Sequence, residues 1–248
     1  MEGQHVNRVY RQLHGGQDLV YFTVKLKESD LAIGVDAASY SDSLISLCRQ
    51  ELICLRAQLE SYIILHPEFR TSLCPIQLLP SAPPIACSMA EAAQLTGVGP
   101  MAAVAGAIAQ AIGEKLDSIA ESVIVENGGD IYLNSRRERV VAVYAGKSKF
   151  SQRVGIKISA EEQPLGICTS SGTVGPSLSF GTADAVVIKG YPASLADAAA
   201  TRIGNMITSE EDLPQALQAA QGIPGVTGVL LIKNDTMAAW GAIELVPI

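Results

Sequence analysis

From Ser122 onward the chain is a succession of short β-type runs cut apart by turn residues: "VIVENGGDIYL", "RVVAVYAG", "RVGIKI", "LGICTSS" and "ADAVVIKG", then "GVLLI", "MAAW" and "AIELV". Runs of this length, bounded by Gly, Asn, Asp and Ser, read as strands. Between the two groups lie a predicted helix over Ser194 to Ile207 and a second one capped by Ser209. Before Ser122, "DLVYFTVKL" and "LAIGVDA" alternate like strands, and Ser41 to Ile63 carries apolar residues three and four apart, a helix that Ser41 or Asp42 can cap. A Pro-rich connector, Pro75 to Pro84, leads into helical segments at Ser88 to Leu95 and in an Ala-rich stretch opened by Pro100. Strands and helices interleaved this unevenly predict an α+β fold, with mixed helices packed on antiparallel sheets, and argue against a regular βαβ repeat. With no internal repeat and no linker, a single α+β domain over residues 1–248 is expected.

The run "VENGGDIYL" poses the sharpest local question, because Glu126, Asn127, Gly128, Gly129 and Asp130 stand in the middle of a strand pattern. One answer is a hairpin centred on Asn-Gly, since a type I′ turn needs φ > 0 at both central positions. Its arms would be Val123 to Val125 and Ile131 to Leu133. The other answer is a ligand site, in which paired glycines admit a ligand close to the backbone and the flanking acids meet a hydroxyl, an amine or a metal. Local sequence leaves both open.

Composition removes several function classes. Charged residues make up 17% of 248 and the formal charge is -7, which excludes a basic nucleic-acid binder. The apolar share of 48% excludes a disordered chain. Five cysteines, Cys48, Cys54, Cys74, Cys87 and Cys168, form no CxxC pair, so neither a disulfide framework nor a zinc site is predicted and a reducing, cytoplasmic setting is expected. "MEGQHVNRVYRQL" has no apolar h-region and predicts no export signal. The run Gly99 to Gly113 is too short for a membrane span and reads as a buried helix of small residues. Expected partners are a small-molecule ligand, with no nucleic acid and no membrane; a homo-oligomer stays open.

Four further features bear on chemistry. "GVGPMA", Gly97 to Ala102, matches the dinucleotide fingerprint formally, with Asp117 near the distance of a ribose acid, but the segment before it is helical where the fingerprint needs a strand. Close helix packing on glycines is the better reading, with an anion at the helix start as the alternative. "CTSSGTVG", Cys168 to Gly175, offers hydroxyls and glycines for a phosphate nest or an ordinary turn. Of the histidines His5, His14 and His66, only the last lies outside the N-terminal region, and in "LHPEF" it reads as a helix C-cap, so Ser-His or Cys-His catalysis is not supported. Asp197 and Thr201 in "SLADAAATRIGN" are four apart on a predicted helix, a hard-oxygen pair suited to Mg²⁺ or Ca²⁺, or else a dipole-stabilising Asp and a packing Thr.

"ENGGDIY", "TSSG" and "ADAAAT" occur in the order and approximate spacing of the signatures of the ApbE-like proteins, the FAD:protein FMN transferases. Together with "HPEF", "VGPMAAVAGAIA" and "GICTSSGTVGPSLSFGTADAVV", the chain resembles an uncharacterised branch of that superfamily found in anaerobic bacteria and methanogens, some of whose members have been linked to sulfur assimilation and homocysteine formation. The resemblance implies a T-fold-related architecture and a flavin (FAD or FMN) or another nucleotide as ligand. It implies a cleft walled by Glu126, Asn127, Gly128, Gly129 and Asp130 and by Thr169, Ser170, Ser171, Gly172 and Thr173. It implies Mg²⁺ at Asp197 and Thr201, with a backbone carbonyl from about Met101 to Ala103. Two family features are missing: "PMAAVAGA" has no lysine, and "GPSLSFG" replaces a His-Ile-x-Asp-Pro run. Efficient FMN transfer is therefore not expected. Three classes stay open: a diphosphate-binding module, a metal-dependent flavin transferase, and a sulfur-assimilation factor that uses Cys168 as acceptor.

Overall fold

All paired strands run antiparallel, and they divide into two sheets stacked on either side of one apolar layer. The computed structural model describes residues 18–172 and 180–248. In chain order the elements are β1 (Leu19–Leu26), β2 (Ser29–Asp36), α1 (Asp42–Leu65), the single turn α2 (Glu68–Thr71), α3 (Pro84–Thr96), a 3-10 turn (Pro100–Ala103) and α4 (Val104–Asp117). There follow β3 (Ser122–Asn127), β4 (Asp130–Ser135), β5 (Arg139–Ala142), β6 (Val154–Ile158), β7 (Leu165–Ser170), β8 (Ala185–Gly190), α5 (Ala193–Gly204), α6 (Leu213–Gln221), β9 (Val226–Lys233), β10 (Thr236–Gly241) and β11 (Glu244–Pro247).

The large sheet has the order β1-β2-β3-β4-β7-β8-β9-β10, and β11-β6-β5 form the small one. Strand alternation assigns each inner residue to a layer. Val123, Val125, Tyr132, Val186 and Ile188 face the helices, while Ile124, Ile131, Leu133, Val187 and Leu230 face Ile156 and Ile158 of the small sheet. The central strands are thus apolar on both sides, so their sequences read as nearly continuous β-branched runs.

Helix α5 lies in the middle of the helical layer, packed on β7, β8, α3 and α4. Ala196, Ala198, Ala199 and Ala200 are all buried there, and only side chains this small let four neighbours approach one helix so closely. No helix of the described residues is long and apolar enough to cross a membrane; α3 and the stretch Pro100–Asp117 pass that test only as a pair bent by 106°.

Several elements differ from the sequence expectation: the helix expected over Ser194 to Ile207 runs Ala193–Gly204, and Ser209 caps a 3-10 turn, Glu210–Asp212, that precedes α6. Helix α3 starts at Pro84, because a proline at the first helical position loses no hydrogen bond. The Ala-rich helix opens with a 3-10 turn, so its α-helical N-terminus is at Val104. The isolated turn α2, held by Phe69 packing against Tyr62, has no periodic signal of its own. His66 caps α1 as expected: its backbone N–H donates to the Tyr62 carbonyl, and its Nδ1 sits 3.0 Å from the Tyr62 hydroxyl.

At the far end of the sheet, buried Arg139 donates to both oxygens of Asp18, at 2.8 and 2.9 Å, and to Ser135. The guanidinium holds the Asp18 carboxyl down to about 2. Removing the acid leaves a buried cation unpaired. Asp18→Asn is expected to cost about 1–3 kcal/mol in urea unfolding at neutral pH, and the difference should shrink as pH falls from the ordinary 3.8 through about 2, as the wild-type carboxyl takes up its proton.

Candidate functional site

The hairpin is real, and its centre is shifted by one residue from the expected Asn-Gly. Asn127 pairs with Asp130 as the last rung of β3 and β4, leaving Gly128 (φ 72°) and Gly129 (φ 115°) as the two loop residues. Both take positive φ, which glycine adopts without a Cβ penalty. Among the described residues a Cβ on Gly128 would meet nothing within 4 Å, so none of them covers the turn there.

Strand alternation then sorts the acids and amides around the turn. Glu126 follows Ile124 onto the small-sheet side, and its Oε1 accepts the Gly129 N–H at 3.1 Å, a local brace for the turn. Asn127 and Asp130 belong to the helix side. The Asn127 amide donates to the Ala105 carbonyl at the start of α4, at 3.2 Å. Asp130 stands opposite Cys168 in the ladder and accepts the Thr169 backbone N–H.

Asp197 reaches the same place from α5. Its Oδ2 accepts the Gly106 N–H at 2.8 Å, and the Ala105 N–H also bonds to the carboxylate. The approach needs a glycine: a Cβ on Gly106 would lie 2.3 Å from the Ala193 carbonyl oxygen and 2.9 Å from Asp197 Cβ. The acceptor at the start of the Ala-rich helix, where the sequence left an anion open as the alternative to glycine packing, is this chain's own Asp197 carboxyl, placed at Ala105 and Gly106 and not at Pro100. Nor is "GVGPMA" a dinucleotide loop. Gly97 is the left-handed C-cap of α3, Gly99 lies so close to Ser72 that a Cβ would strike its carbonyl oxygen at 1.8 Å, and Asp117 accepts the Tyr132 hydroxyl at 2.6 Å.

Asp130 and Asp197 form a buried acid pair, each 9% exposed. Burial is the first cause that lifts both carboxyls above their ordinary value, to about 7 for Asp197, and the Asp197 charge lifts Asp130 further. Among the described residues no lysine or arginine pairs with either acid.

Thr201 lies one helical turn beyond Asp197 and is half-buried. Ser170, at the end of β7, faces α5 beside Gly204, while the Thr169 side chain points to the small-sheet side. Gly172 donates its N–H to the Ala183 carbonyl, and a Cβ there would collide with Gly181, so this glycine serves loop packing. Ser171 follows β7 directly, and Thr173 lies outside the described residues. The structure thus gathers Asn127, Asp130, Ser170, Asp197 and Thr201 on the helix side and sends Glu126 and Thr169 to the other. Met101 to Ala103 sit in the 3-10 turn, which packs against α5. Sequence reasoning passed over Gly106 and weighed Cys168 only as a nucleophile or a sulfur acceptor. Its thiol is wholly buried, donates to the Ala193 carbonyl at 3.4 Å, and is pushed well above the ordinary thiol range by burial and by the two acids.

A family model described as AbpE bacteria matches residues 11–237. The UPF0280 protein of Methanococcus aeolicus is 38% identical over 230 residues, 91% of each chain, and that of Methanococcoides burtonii is 38% identical over 221 residues, 88% of this chain and 91% of the other. Among solved structures, the flavin transferase ApbE from Vibrio cholerae superposes with a TM-score of 0.56 at 13% identity, covering 90% of this chain and 97% of that one. The apo flavinyl transferase ApbE of Pseudomonas stutzeri gives 0.53 at 11%, covering 90% and 94%. At such identities the likeness concerns the fold, which is the α+β architecture expected from the sequence.

Because both acids titrate higher in the folded chain than in an unfolded one, their contribution to stability is fully present below the ordinary value of 3.8 and is lost as pH rises, through about 7 for Asp197, with Asp130 shifted in the same direction. With a chelator present, the melting temperature is expected to fall from roughly pH 5 to pH 8, and Asp130→Asn should flatten that slope. Parallel curves for the two proteins would show that the acids do not share one site.

Proposed function

The chain belongs to the AbpE bacteria family, and we propose that it binds a flavin- or nucleotide-like diphosphate ligand, with Mg²⁺ at Asp197 and Thr201, without transferring FMN efficiently. The observation that carries this reading is the buried pair Asp130 and Asp197, set beside a glycine turn that no described residue covers at Gly128. Two neighbouring carboxylates removed from water must either hold a proton or meet a cation.

The donor set fits a hard divalent cation. Asp197 keeps one oxygen free of the Gly106 N–H, and Thr201 adds a hydroxyl on the same helix face. Among the described residues no group of three His, Cys, Asp or Glu side chains could hold a metal. The remaining positions around Mg²⁺ therefore fall to backbone carbonyls, water and the ligand's own phosphates, the usual arrangement for this ion. When bound, Mg²⁺ would offset the diphosphate charge. The protein's share is positional: the N–H groups of Ala105 and Gly106 fix the Asp197 carboxylate, and the turn at Gly128 and Gly129 leaves the backbone open to approach.

A sulfur-carrying role is disfavoured by Cys168 itself, since a buried thiol held protonated by two acids is a poor nucleophile. Flavin transfer is disfavoured by the uncharged "PMAAVAGA" segment and the missing His-Ile-x-Asp-Pro run. Accepting the proton of an attacking hydroxyl needs a free base, and burial favours the protonated form of Asp130.

Two experiments test the reading. By calorimetry, Mg²⁺ should bind weakly alone and about tenfold tighter or more with FAD or ATP present. Asp197→Asn, which keeps an oxygen for the α4 N–H groups, and Thr201→Val should each abolish that enhancement; undiminished Mg²⁺ binding in both would remove the site. Incubated with FAD, Mg²⁺ and a flavin-acceptor protein, the chain should give no fluorescent flavinylated band, because loss of acid-base assistance alone lowers a rate by ~10² to 10⁴. A band abolished by Asp197→Asn would make it a transferase.

A further inference from the structure

Between Arg139 and Lys157 the chain places five cations, Arg139, Lys147, Lys149, Arg153 and Lys157, and no acid, although its net charge is -7. Two of them are spoken for: Arg139 binds Asp18, and Lys157 pairs with Glu138 and Glu244 at 3.3 and 3.0 Å. Lys147, Lys149 and Arg153 form no ion pair among the described residues, and all three are exposed in the loop that joins β5 to β6.

This loop is held in shape by its own hydrogen bonds. Val143 accepts the Gln152 N–H at 2.9 Å and donates to the Val154 carbonyl at 3.0 Å, which closes its base. The Ser151 hydroxyl accepts the Ala145 N–H at 3.0 Å. Gly146 and Gln152 take positive φ, 52° and 56°. For glutamine that conformation is uncommon, and it persists where surrounding contacts enforce it. The result is an open depression of about 620 Å³ lined by Tyr144, Lys147, Lys149, Ser151, Gln152 and Arg153. Lys149 Nζ lies 5.1 Å from the Phe150 ring centre. Asp235, the acid that touches the loop, accepts the Lys149 backbone N–H at 3.4 Å and pairs with none of the three cationic side chains.

We propose that the β5–β6 loop is a binding site for a phosphate-bearing small molecule, with Lys147, Lys149 and Arg153 as its charge-bearing ligands. Three cations around one concavity repel one another and gain most from a multiply charged anion. The hydroxyl, the amide and the arginine fork supply directed donors as well as charge. The site is separate from the carboxylate pair, because its loop belongs to the small-sheet layer on the opposite face of the large sheet.

Inorganic pyrophosphate, titrated into the full chain against sodium chloride of equal ionic strength, is the direct probe. The wild type should bind it with an affinity that weakens as salt rises, and the triple variant Lys147→Gln, Lys149→Gln, Arg153→Gln should bind at least about tenfold more weakly with an unchanged melting curve. The titration is run with a chelator and no divalent cation, so that the Mg²⁺-dependent site at the carboxylate pair contributes nothing and the two tests stay apart. Undiminished binding by the triple variant, no binding by the wild type at millimolar pyrophosphate, or binding of a labelled oligonucleotide in place of pyrophosphate would each overturn the proposal.

Discussion

The carboxylate of Asp197 on the first turn of α4 is the contact from which the rest of the site follows. Helix α4 has no side-chain cap of its own, so its leading N–H groups need an acceptor from elsewhere. Asp197 provides it across the α4–α5 contact, through Gly106 and Ala105. A charge-assisted bond to a helix N-terminus also gains from the macrodipole, so one side chain fixes the spacing, rotation and register of two helices at once. The Asn127 amide, held by the Ala105 carbonyl, ties the end of β3 to the same turn. Helix α4, helix α5 and the hairpin are therefore one unit, and Asp130 has its position because they are.

That unit stores an electrostatic cost beside its structural gain. Asp197 has two N–H donors to offset its burial, whereas Asp130 has the Thr169 N–H and still faces the Asp197 charge. A fold selected for stability alone would gain by replacing Asp130 with an amide or an apolar residue, since an uncompensated buried charge is among the most destabilising features a core can carry. Rules of this kind are broken at sites where the break serves binding. Cys168 belongs to the same arrangement: small and protonated, it fills the space under Asp130 without adding a third charge.

Much of this was legible in the sequence. The strands of the second half show as short β-branched runs between turn residues, and α1 shows through its apolar spacing, because period and punctuation are local properties. "ENGGDIY" was legible as a hairpin, displaced by one residue, since Asn127 proved to be needed in the ladder and for the Ala105 carbonyl. The pairing of β4 with β7 was not legible. Nothing local marks β5 and β6 as strands that leave for a second sheet, and only the two-sided burial of β4 and β7 explains it. The partner of the α4 N-terminus lies 91 residues away in the chain, and Gly106 looks like any other small residue in an Ala-rich helix until α5 is laid against it.

The acids of "ENGGD" illustrate why a motif read as a string overstates its site. Alternation sends adjacent strand residues to opposite faces, so Glu126 and Asn127 cannot both line one cleft however close they stand in sequence. The face that receives Asn127 and Asp130 has α5 and its carboxylate. The other face has Glu126, braced against the turn, and beyond it the small sheet with its cationic loop, which meets the β9–β10 turn through Asp235 at the same end of the large sheet. The buried acid pair and the cationic loop thus lie on opposite faces of the large sheet. Slipping β3 by one residue would carry Glu126 into the acid pair and Val125 out of the helical core, so the apolar pattern that places the core also decides which acid faces the site.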